Sequence, residues 1–296
     1  MRLILQLVRP VLLFGATTVS TELGALPNAT ESGQTRATAA PIVSLEFDDA
    51  SGALWKATPG SLARSLDEGH TWIPVALPVT AHSRIVALSI SASRPKTIYV
   101  ATMGLGVLRS QDDGHTWIVR NQGLPNRDVV ALTAHSTQPR TVYAYVAGKG
   151  IYRSLDGGTI WRFVDPGPRE SVVQLAHTSM PSADGTGWLF AATSKGVRRA
   201  KDCFCGWESA GAVRLSFRVV ASDAGWPTRV YAAGRDGLFI SPDGGNHWIR
   251  MREPVATISA LANTPSRRLY GAINGKLIRS INRGVTWEYI VRCPAK

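Results

Sequence analysis

One eight-residue motif recurs along the chain and limits the folds that this sequence can adopt. Its clearest copy, at residues 110–117, reads SQDDGHTW, and the shared pattern is Ser-x-Asp-x-Gly-x-Thr-Trp. Six copies begin at residues 65, 110, 154, 200, 241 and 280. The fourth copy is degenerate, because Ala200 and Phe204 stand where the others have serine and glycine. A period of about 40 residues indicates a repeat protein.

The motif predicts a tight turn between two antiparallel strands. Its aspartate can accept hydrogen bonds from backbone N–H groups just downstream, and its glycine suits a left-handed backbone. Its tryptophan begins the next strand and brings a large apolar surface to bury. The positions predicted to be structural are Ser65, Asp67, Gly69, Trp72, Ser110, Asp112, Gly114, Trp117, Ser154, Asp156, Gly158, Trp161, Asp202, Trp207, Ser241, Asp243, Gly245, Trp248, Ser280, Asn282, Gly284 and Trp287.

The alternative role for the motif is a ring of carboxylates that binds a ligand or a metal ion. The aspartates occur once per repeat at long, even intervals. A metal site instead needs several ligands that converge on one point. We therefore expect no metal site and no cofactor.

Three further features recur in register with the motif. Each repeat opens with a β-branched run, such as residues 85–88, which read IVAL and indicate a buried strand. A second predicted strand carries one aromatic residue at a matching place, expected to lie in the core between repeats: Trp55, Tyr99, Tyr143, Phe190, Tyr231 and Tyr270. A glycine-containing turn and a third strand lead into the motif, and the motif tryptophan begins a fourth strand.

Four short strands separated by turns match one blade of a propeller. The sequence therefore predicts an all-β fold, a six-bladed β-propeller of four-stranded antiparallel blades, with the motif turn between the third and fourth strands. We expect the ring to close by apolar packing of the first blade on the sixth, without strand exchange between the termini. The propeller is placed at residues 41–293, with blades at about 42–76, 85–120, 129–166, 172–209, 217–251 and 257–292.

Residues 1–40 are predicted to be a signal peptide and a flexible lead-in. Arg2 and Arg9 supply positive charge, and the apolar run at residues 11–19 is too short to span a membrane. Residues 21–40 are rich in Thr, Ala, Ser and Gly. We expect an exported protein, secreted or periplasmic. The alternative is an uncleaved N-terminus that tethers the chain to a membrane.

The three cysteines leave their pairing open. Cys203 and Cys205 lie inside the degenerate motif, and Cys293 follows the last predicted strand. An odd count leaves at least one thiol unpaired, and a Cys-x-Cys pair without a further Cys or His cluster is weak evidence for a metal. The sequence therefore implies no disulfide framework.

Six phased motifs on four-stranded repeats resemble the BNR or Asp-box propellers. The resemblance covers nearly all of residues 42–292. That superfamily includes sialidases, xyloglucan-degrading glycoside hydrolases, sortilin-type receptor domains and a photosystem II assembly factor. The resemblance therefore implies a fold and leaves several activities open. In these families the motif turns lie at the blade periphery, away from the active face, which agrees with a structural role here.

The net charge of +12 raises the question of an acidic partner. Part of it comes from repeat copying, because an arginine precedes the motif in five repeats, at Arg64, Arg109, Arg153, Arg199 and Arg279. We interpret each as a strand residue whose stem packs while its guanidinium reaches solvent. The other basic residues form either one side that faces an acidic polymer or protein, or a merely solvated surface: Lys195, Arg198, Arg199, Lys201, Arg250, Arg252, Arg267 and Arg268. No strong nucleic-acid signal accompanies them.

The candidate functional residues lie at the start of the predicted first strands, which is expected to form the rim of the central channel. These rim residues are Arg84, Arg127, Asp128, Arg169 and Glu170. Arginines can hold a carboxylate in bidentate fashion, and two nearby acids can share acid and base catalysis on a glycosidic bond. Asp128 and Glu170 are therefore the candidate catalytic residues. The acids outside the motif include Glu46, Asp48, Asp128, Glu170, Asp223 and Asp236.

Several features favour binding over catalysis. Sialidases carry an Arg-Ile-Pro element and a nucleophilic tyrosine, whereas residues 83–86 read SRIV and the tyrosines lie mainly on second strands. The endo-acting xyloglucan hydrolases pair two propellers. No Ser-His-Asp constellation or phosphate-binding glycine loop appears. We predict a monomeric, non-catalytic binding or assembly scaffold whose protein or glycan partner docks on the channel face. The alternative is a sialidase-like glycoside hydrolase that acts on acidic or neutral glycans.

Overall fold

The computed structural model describes residues 39–78, 82–92, 96–182 and 185–291, and every regular element in these ranges is a β-strand. The predicted signal peptide, nearly all of the lead-in and Cys293 lie outside the described residues. In the part of the chain that is described, no helix is long and apolar enough to cross a membrane.

The strands form six antiparallel sheets of four, and each sheet takes consecutive strands in order. The first sheet holds β1 (Ser44–Asp48), β2 (Ala53–Thr58), β3 (Ser61–Ser65) and β4 (Ile73–Val75). The second holds β5 (Arg84–Ile90), β6 (Ile98–Met103), β7 (Gly106–Ser110) and β8 (Ile118–Val119). The third holds β9 (Val129–Ala134), β10 (Val142–Val146), β11 (Gly150–Ser154) and β12 (Arg162–Asp165).

The second half of the chain repeats this pattern. The fourth sheet holds β13 (Val172–Thr178), β14 (Trp188–Thr193), β15 (Gly196–Lys201) and β16 (Glu208–Ser209). The fifth holds β17 (Phe217–Ser222), β18 (Val230–Gly234), β19 (Gly237–Ser241) and β20 (Ile249–Arg250). The sixth holds β21 (Ala260–Asn263), β22 (Leu269–Ile273), β23 (Lys276–Ser280) and β24 (Glu288–Tyr289).

The first strands of consecutive sheets contact one another, and β21 contacts β1, so these six strands surround the axis of a closed ring. Each sheet is therefore one blade. The predicted six-bladed propeller is confirmed, with four antiparallel strands in each blade.

Apolar clusters fill the space between neighbouring blades. The six matched aromatics are all at most 2% exposed, and each belongs to such a cluster. One cluster joins Ile42, Leu45 and Leu54 of the first blade to Tyr270 and Leu277 of the sixth. The expected closure by apolar packing is therefore confirmed, and hydrophobic burial is its main driving force.

The serine and the aspartate or asparagine of each intact motif form hydrogen bonds within their own turn. In the second blade the Ser110 hydroxyl accepts a hydrogen bond from Gly114 N at 2.9 Å and donates one to Asp112 Oδ1 at 2.8 Å. Asp112 Oδ1 also accepts from Thr116 N at 2.9 Å. Hydrogen bonds from the Thr116 hydroxyl and backbone lower the pKa of Asp112 to about 2. The carboxylate is therefore held in its ionised form by groups of its own turn.

The arginines that precede five of the motifs are partly exposed, and each also contacts the neighbouring blade, which the sequence interpretation did not include. They reach the motif turn of the next blade, where Arg109 Nη1 donates to the carbonyl oxygen of Gly157 at 2.8 Å. At the ring closure Arg279 of the sixth blade pairs with Glu68 of the first. We name these side chains the inter-blade arginines: Arg64 bonds Asp113 O, Arg109 bonds Gly157 O, Arg153 lies 3.8 Å from Asp202, Arg199 bonds Gly244 O, and Arg279 pairs with Glu68.

The degenerate fourth motif uses its residues differently. A disulfide joins Cys203 to Cys205. Asp202 is buried and accepts a hydrogen bond from the Tyr143 hydroxyl of the third blade. In this motif, which lacks the serine and the glycine, the aspartate contacts the neighbouring blade.

Candidate functional site

A cavity of about 330 Å³ lies on the axis of the ring. All six blades contribute to it through the carboxyl-terminal halves of their first strands and the residues that follow. Its volume lies at the lower end of the range, roughly 300–1,000 Å³, that is typical of small-ligand sites. The cavity can therefore hold a side chain or a small molecule, and it is too small for a folded segment.

One ring of residues sets the size and chemistry of this cavity. On each first strand, the residue paired with the matched aromatic of the second strand lines the cavity. We call these six positions the lining ring: Glu46, Ser89, Thr133, Ala176, Ala221 and Ala262. Five members are small, which leaves the space open, and one is a carboxylic acid.

Glu46 is the acid of the lining ring. Its carboxyl has no hydrogen bond and no ion pair with any residue that the structure describes. Burial in the cavity disfavours the charged form and raises the pKa of Glu46 to about 8. Glu46 was one of several acids noted in the sequence, and the signal that singles it out is its register opposite Trp55.

The other charged groups around the cavity are already paired. Asp49 lies 2.7 Å from the Lys96 ammonium, and Asp223 lies 3.1 Å from the Arg229 guanidinium. Asp223 Oδ1 also accepts from Gly225 N at 3.0 Å. Glu46 is therefore the acid that faces the cavity without a counter-ion among the described lining residues.

A second ring of polar residues lies two positions after the lining ring. Each of its side chains accepts a hydrogen bond from a backbone N–H two to six residues downstream. The members are Asp48, Ser91, His135, Thr178, Asp223 and Thr264, and the six bonds measure 3.0–3.2 Å. This ring was not predicted from the sequence, although its members occupy the same position in each repeat.

His135, His177 and Asp202 are buried close together and have the composition of a metal site. Their hydrogen bonds do not fit one. His135 Nδ1 accepts from Thr137 N at 3.1 Å, and His177 Nδ1 accepts from Ser136 N at 3.1 Å. A neutral imidazole with an accepting Nδ1 carries its proton on Nε2 and has no lone pair left for a metal.

These two imidazoles instead form part of the core. Their rings stack with centroids 3.8 Å apart, and His135 Nε2 donates to Thr186 O at 3.0 Å. Burial lowers the pKa of His135, and burial together with His135 lowers the pKa of His177 to about 3. Both rings are therefore neutral near pH 7 and add no charge to the cavity that they help to line.

The predicted rim residues lie at the other ends of the first strands. Arg84 is the first residue of β5, and the other four precede β9 or β13, so none of the five lines the cavity. Within the described ranges no side-chain hydrogen bond or ion pair joins any two of them. Glu170 is held by Arg198, whose Nε lies 3.1 Å from Oε2. This contact lowers the pKa of Glu170.

Several of the basic residues noted in the sequence have partners within the chain. Arg199 lies 2.7 Å from Glu208, and Arg268 pairs with Glu68. Lys201 and Arg199 both lie over the ring of Trp188. Part of the positive charge is therefore neutralised or packed, which reduces the field available to attract an acidic partner.

No protein-family model matches the chain, and no curated protein matches it by sequence. Its fold does resemble solved propellers. The GH74 enzyme of Niastella koreensis aligns with a TM-score of 0.60 and 16% identity, over 85% of this chain and 47% of that one. YCF48 from Cyanidioschyzon merolae aligns with a TM-score of 0.55 and 19% identity, over 86% of each chain.

A structure of YCF48 bound to D1 peptide also aligns, with a TM-score of 0.54 and 20% identity, over 86% of this chain and 83% of that one. The chain thus spans about half the length of the GH74 enzyme and most of the length of YCF48. At these identities the likeness shows the fold alone, and both a binding role and a hydrolytic role occur among its neighbours.

Proposed function

We propose that this chain is a non-catalytic, exported propeller of the Asp-box type, which binds a peptide segment of a protein partner at its central cavity. One observation carries the proposal. All six blades line a central cavity, and among the described lining residues Glu46 is the one acid without a counter-ion. Such a site offers one strong polar contact inside an otherwise small-residue ring.

The choice of a peptide as ligand draws on the fold neighbours and on the dimensions of the site. YCF48 has been solved with a bound peptide, and it matches this chain over most of both lengths. A cavity of about 330 Å³ accepts one side chain of a peptide while the rest lies across the surrounding turns. A single buried side chain of this kind often dominates the affinity of a protein interface.

The contacts of the candidate acids support binding over hydrolysis. A glycoside hydrolase needs two carboxyl groups about 5–10 Å apart, with one pKa raised so that it can donate a proton. Glu170 has a lowered pKa and a bidentate arginine partner, so it is a poor proton donor. In the cavity the acids near Glu46 are Asp49 and Asp223, and both form ion pairs.

The alternative, a glycoside hydrolase, is favoured by one observation, the raised pKa of Glu46. A panel of fluorogenic glycosides tests it. Turnover by the wild-type chain that is lost in Glu46→Gln would support this alternative and contradict the binding role. The rim from Arg84 to Glu170 remains a second predicted docking region, and Arg84→Glu combined with Asp128→Lys tests it separately.

Partner capture from an extract of the source organism tests the proposal. The wild-type chain is compared with Ala221→Phe, which fills the cavity, and with Val255→Phe, which adds the same bulk at an 84% exposed site. We expect Val255→Phe to retain the partner and Ala221→Phe to lose at least about tenfold in affinity. Capture that is equal for all three proteins would show that the cavity is not the binding site.

A further inference from the structure

We infer that the central cavity binds a primary ammonium group, supplied by a lysine side chain of the partner, with Glu46 as its counter-ion. The source of the ammonium rests on the proposed function. The preference for an ammonium group is inferred from the cavity alone. Three features support it: the carboxyl of Glu46 has no partner among the described residues, the lining ring has a polar half and an apolar half, and the surrounding charged side chains are paired.

The isolated carboxyl is the first feature. A carboxylate removed from water is costly unless it gains an opposite charge or hydrogen-bond donors. The described neighbours of Glu46 supply neither. Replacing Glu46 by an alanine, as in three other blades at this register, would avoid that cost. A cationic ligand with N–H donors offsets it directly.

The division of the lining ring is the second feature. Its three oxygen-bearing members, Glu46, Ser89 and Thr133, belong to three consecutive blades, and the alanines belong to the other three. The ring thus has one oxygen-rich side and one apolar side. A lysine side chain has the same two parts, an ammonium with three N–H donors and an apolar four-carbon stem.

The paired surroundings are the third feature. Asp49 and Lys96 neutralise each other, as do Asp223 and Arg229, and the two cavity histidines are neutral near pH 7. A ligand with one positive charge therefore balances the lining. A divalent metal ion fits poorly, because it requires several anionic or carbonyl ligands around one point and the lining ring supplies one carboxylate.

Binding of an ammonium by Glu46 predicts a specific dependence on pH. Without ligand the carboxyl is mostly protonated at pH 7, because its pKa is about 8. The ammonium binds the ionised form, so each binding event at pH 7 releases a proton. The apparent affinity should rise by about tenfold from pH 6 to pH 7 and by about fivefold from pH 7 to pH 8, and it should level off above pH 8. His135, His177, Asp49, Lys96 and Asp223 line the same cavity. The two imidazoles are neutral near pH 7, and the three charged side chains are held in ion pairs.

Isothermal titration calorimetry of the full chain with Nα-acetyl-lysine methylamide, whose side-chain amine is free, tests the inference. The matched ligand is N-acetyl-norleucine methylamide, which keeps the apolar stem and lacks the amine. The matched variant is Glu208→Gln, which removes the same charge as Glu46→Gln from a 54% exposed side chain outside the cavity. We expect the lysine ligand alone to bind, with about fivefold higher affinity at pH 8 than at pH 7, because the ionised fraction of a carboxyl with a pKa of about 8 rises by that factor. Glu46→Gln should weaken it at least about tenfold and abolish the pH dependence, and Glu208→Gln should do neither.

The outcomes separate this inference from the proposed function. Binding of the lysine ligand without capture of any partner would support the ammonium site and contradict the binding scaffold. A captured partner whose affinity is the same in wild type and in Glu46→Gln would support the scaffold and overturn the ammonium site. If Glu46→Gln fails to fold, the wild-type chain still decides, because equal affinity at pH 6, 7 and 8 overturns the inference.

Discussion

Arg109 Nη1 donates to the carbonyl oxygen of Gly157 at 2.8 Å and so joins the third strand of one blade to the motif turn of the next. The equivalent arginines of four other blades reach the next motif in the same way, including Arg279 across the ring closure. In the fifth blade the position is Ile240, and the facing motif carries Arg283 where the other intact motifs have glycine or an acid and the degenerate motif has Cys203. The inter-blade arginines therefore supplement apolar packing as a second, directional connection between blades.

Replacing Arg109 by alanine should destabilise the propeller by about 1–3 kcal/mol, the range for a hydrogen bond to a charged group that leaves its partner unsatisfied. The measurement is the free energy of unfolding in urea. Arg162→Ala is the control, because Arg162 is exposed on the outer strand β12. Equal stability of the two variants would show that the Arg109 contact contributes nothing.

The glycines of the motif turns allow an equally direct test. Gly114 has φ of 83°, and a Cβ added there would lie 2.9 Å from Val75 Cγ1 and 3.2 Å from Trp55 of the preceding blade. Gly114→Ala should therefore lower the free energy of unfolding by about 1–3 kcal/mol. Gly60→Ala is the matched control, because Gly60 lacks a positive φ and its added Cβ meets nothing within 4 Å.

We expect Gly60→Ala to be neutral or slightly stabilising, since alanine lowers the entropy of the unfolded chain. A Gly114→Ala protein as stable as the Gly60→Ala protein would mean that the motif turn does not require its left-handed glycine.

The titration of Glu46 links the cavity to stability. Its pKa is about 8 in the folded chain against 4.5 as the ordinary value, so between these values the folded state binds more protons than the unfolded state. Stability should therefore fall as pH rises from about 4.5 to 8. Glu46→Gln should remove this loss and be more stable than wild type at pH 8 by on the order of 2 kcal/mol, after allowance for water in the cavity.

At pH 4.5 the two proteins should unfold at nearly the same urea concentration, because the wild-type carboxyl is then largely protonated in the folded state. Parallel stability curves from pH 4.5 to 8 would contradict the raised pKa.

The sequence was sufficient for the fold because the fold is repeated six times. Residues 110–117 specify a turn by local chemistry alone, and the aromatic at Tyr99 and its equivalents marks the buried side of each second strand. Local patterns of this kind can be recognised in a sequence without knowledge of distant contacts. The contact that Arg109 makes could not be predicted in this way, because it depends on which motif turn lies beside the blade that carries Arg109.

The candidate site was likewise predictable from the sequence only in part. Glu46 could have been singled out by aligning first and second strands, because its register places it opposite Trp55, where other blades have Ser, Thr or Ala. The pairing of Glu170 with Arg198 depends on side-chain positions across a strand start and a hairpin. No spacing rule in the sequence distinguishes that neutralised acid from an acid that faces the cavity.

Photo-cross-linking tests the location of the binding site most directly. A photoreactive benzoylphenylalanine replaces Ala224, which is exposed at the edge of the cavity, or Leu155, which is 62% exposed on a motif turn. The partner is then identified by mass spectrometry. We expect cross-links to one partner peptide from position 224 and none from position 155. Cross-links from position 155, with none from position 224, would contradict a binding site on the ring axis.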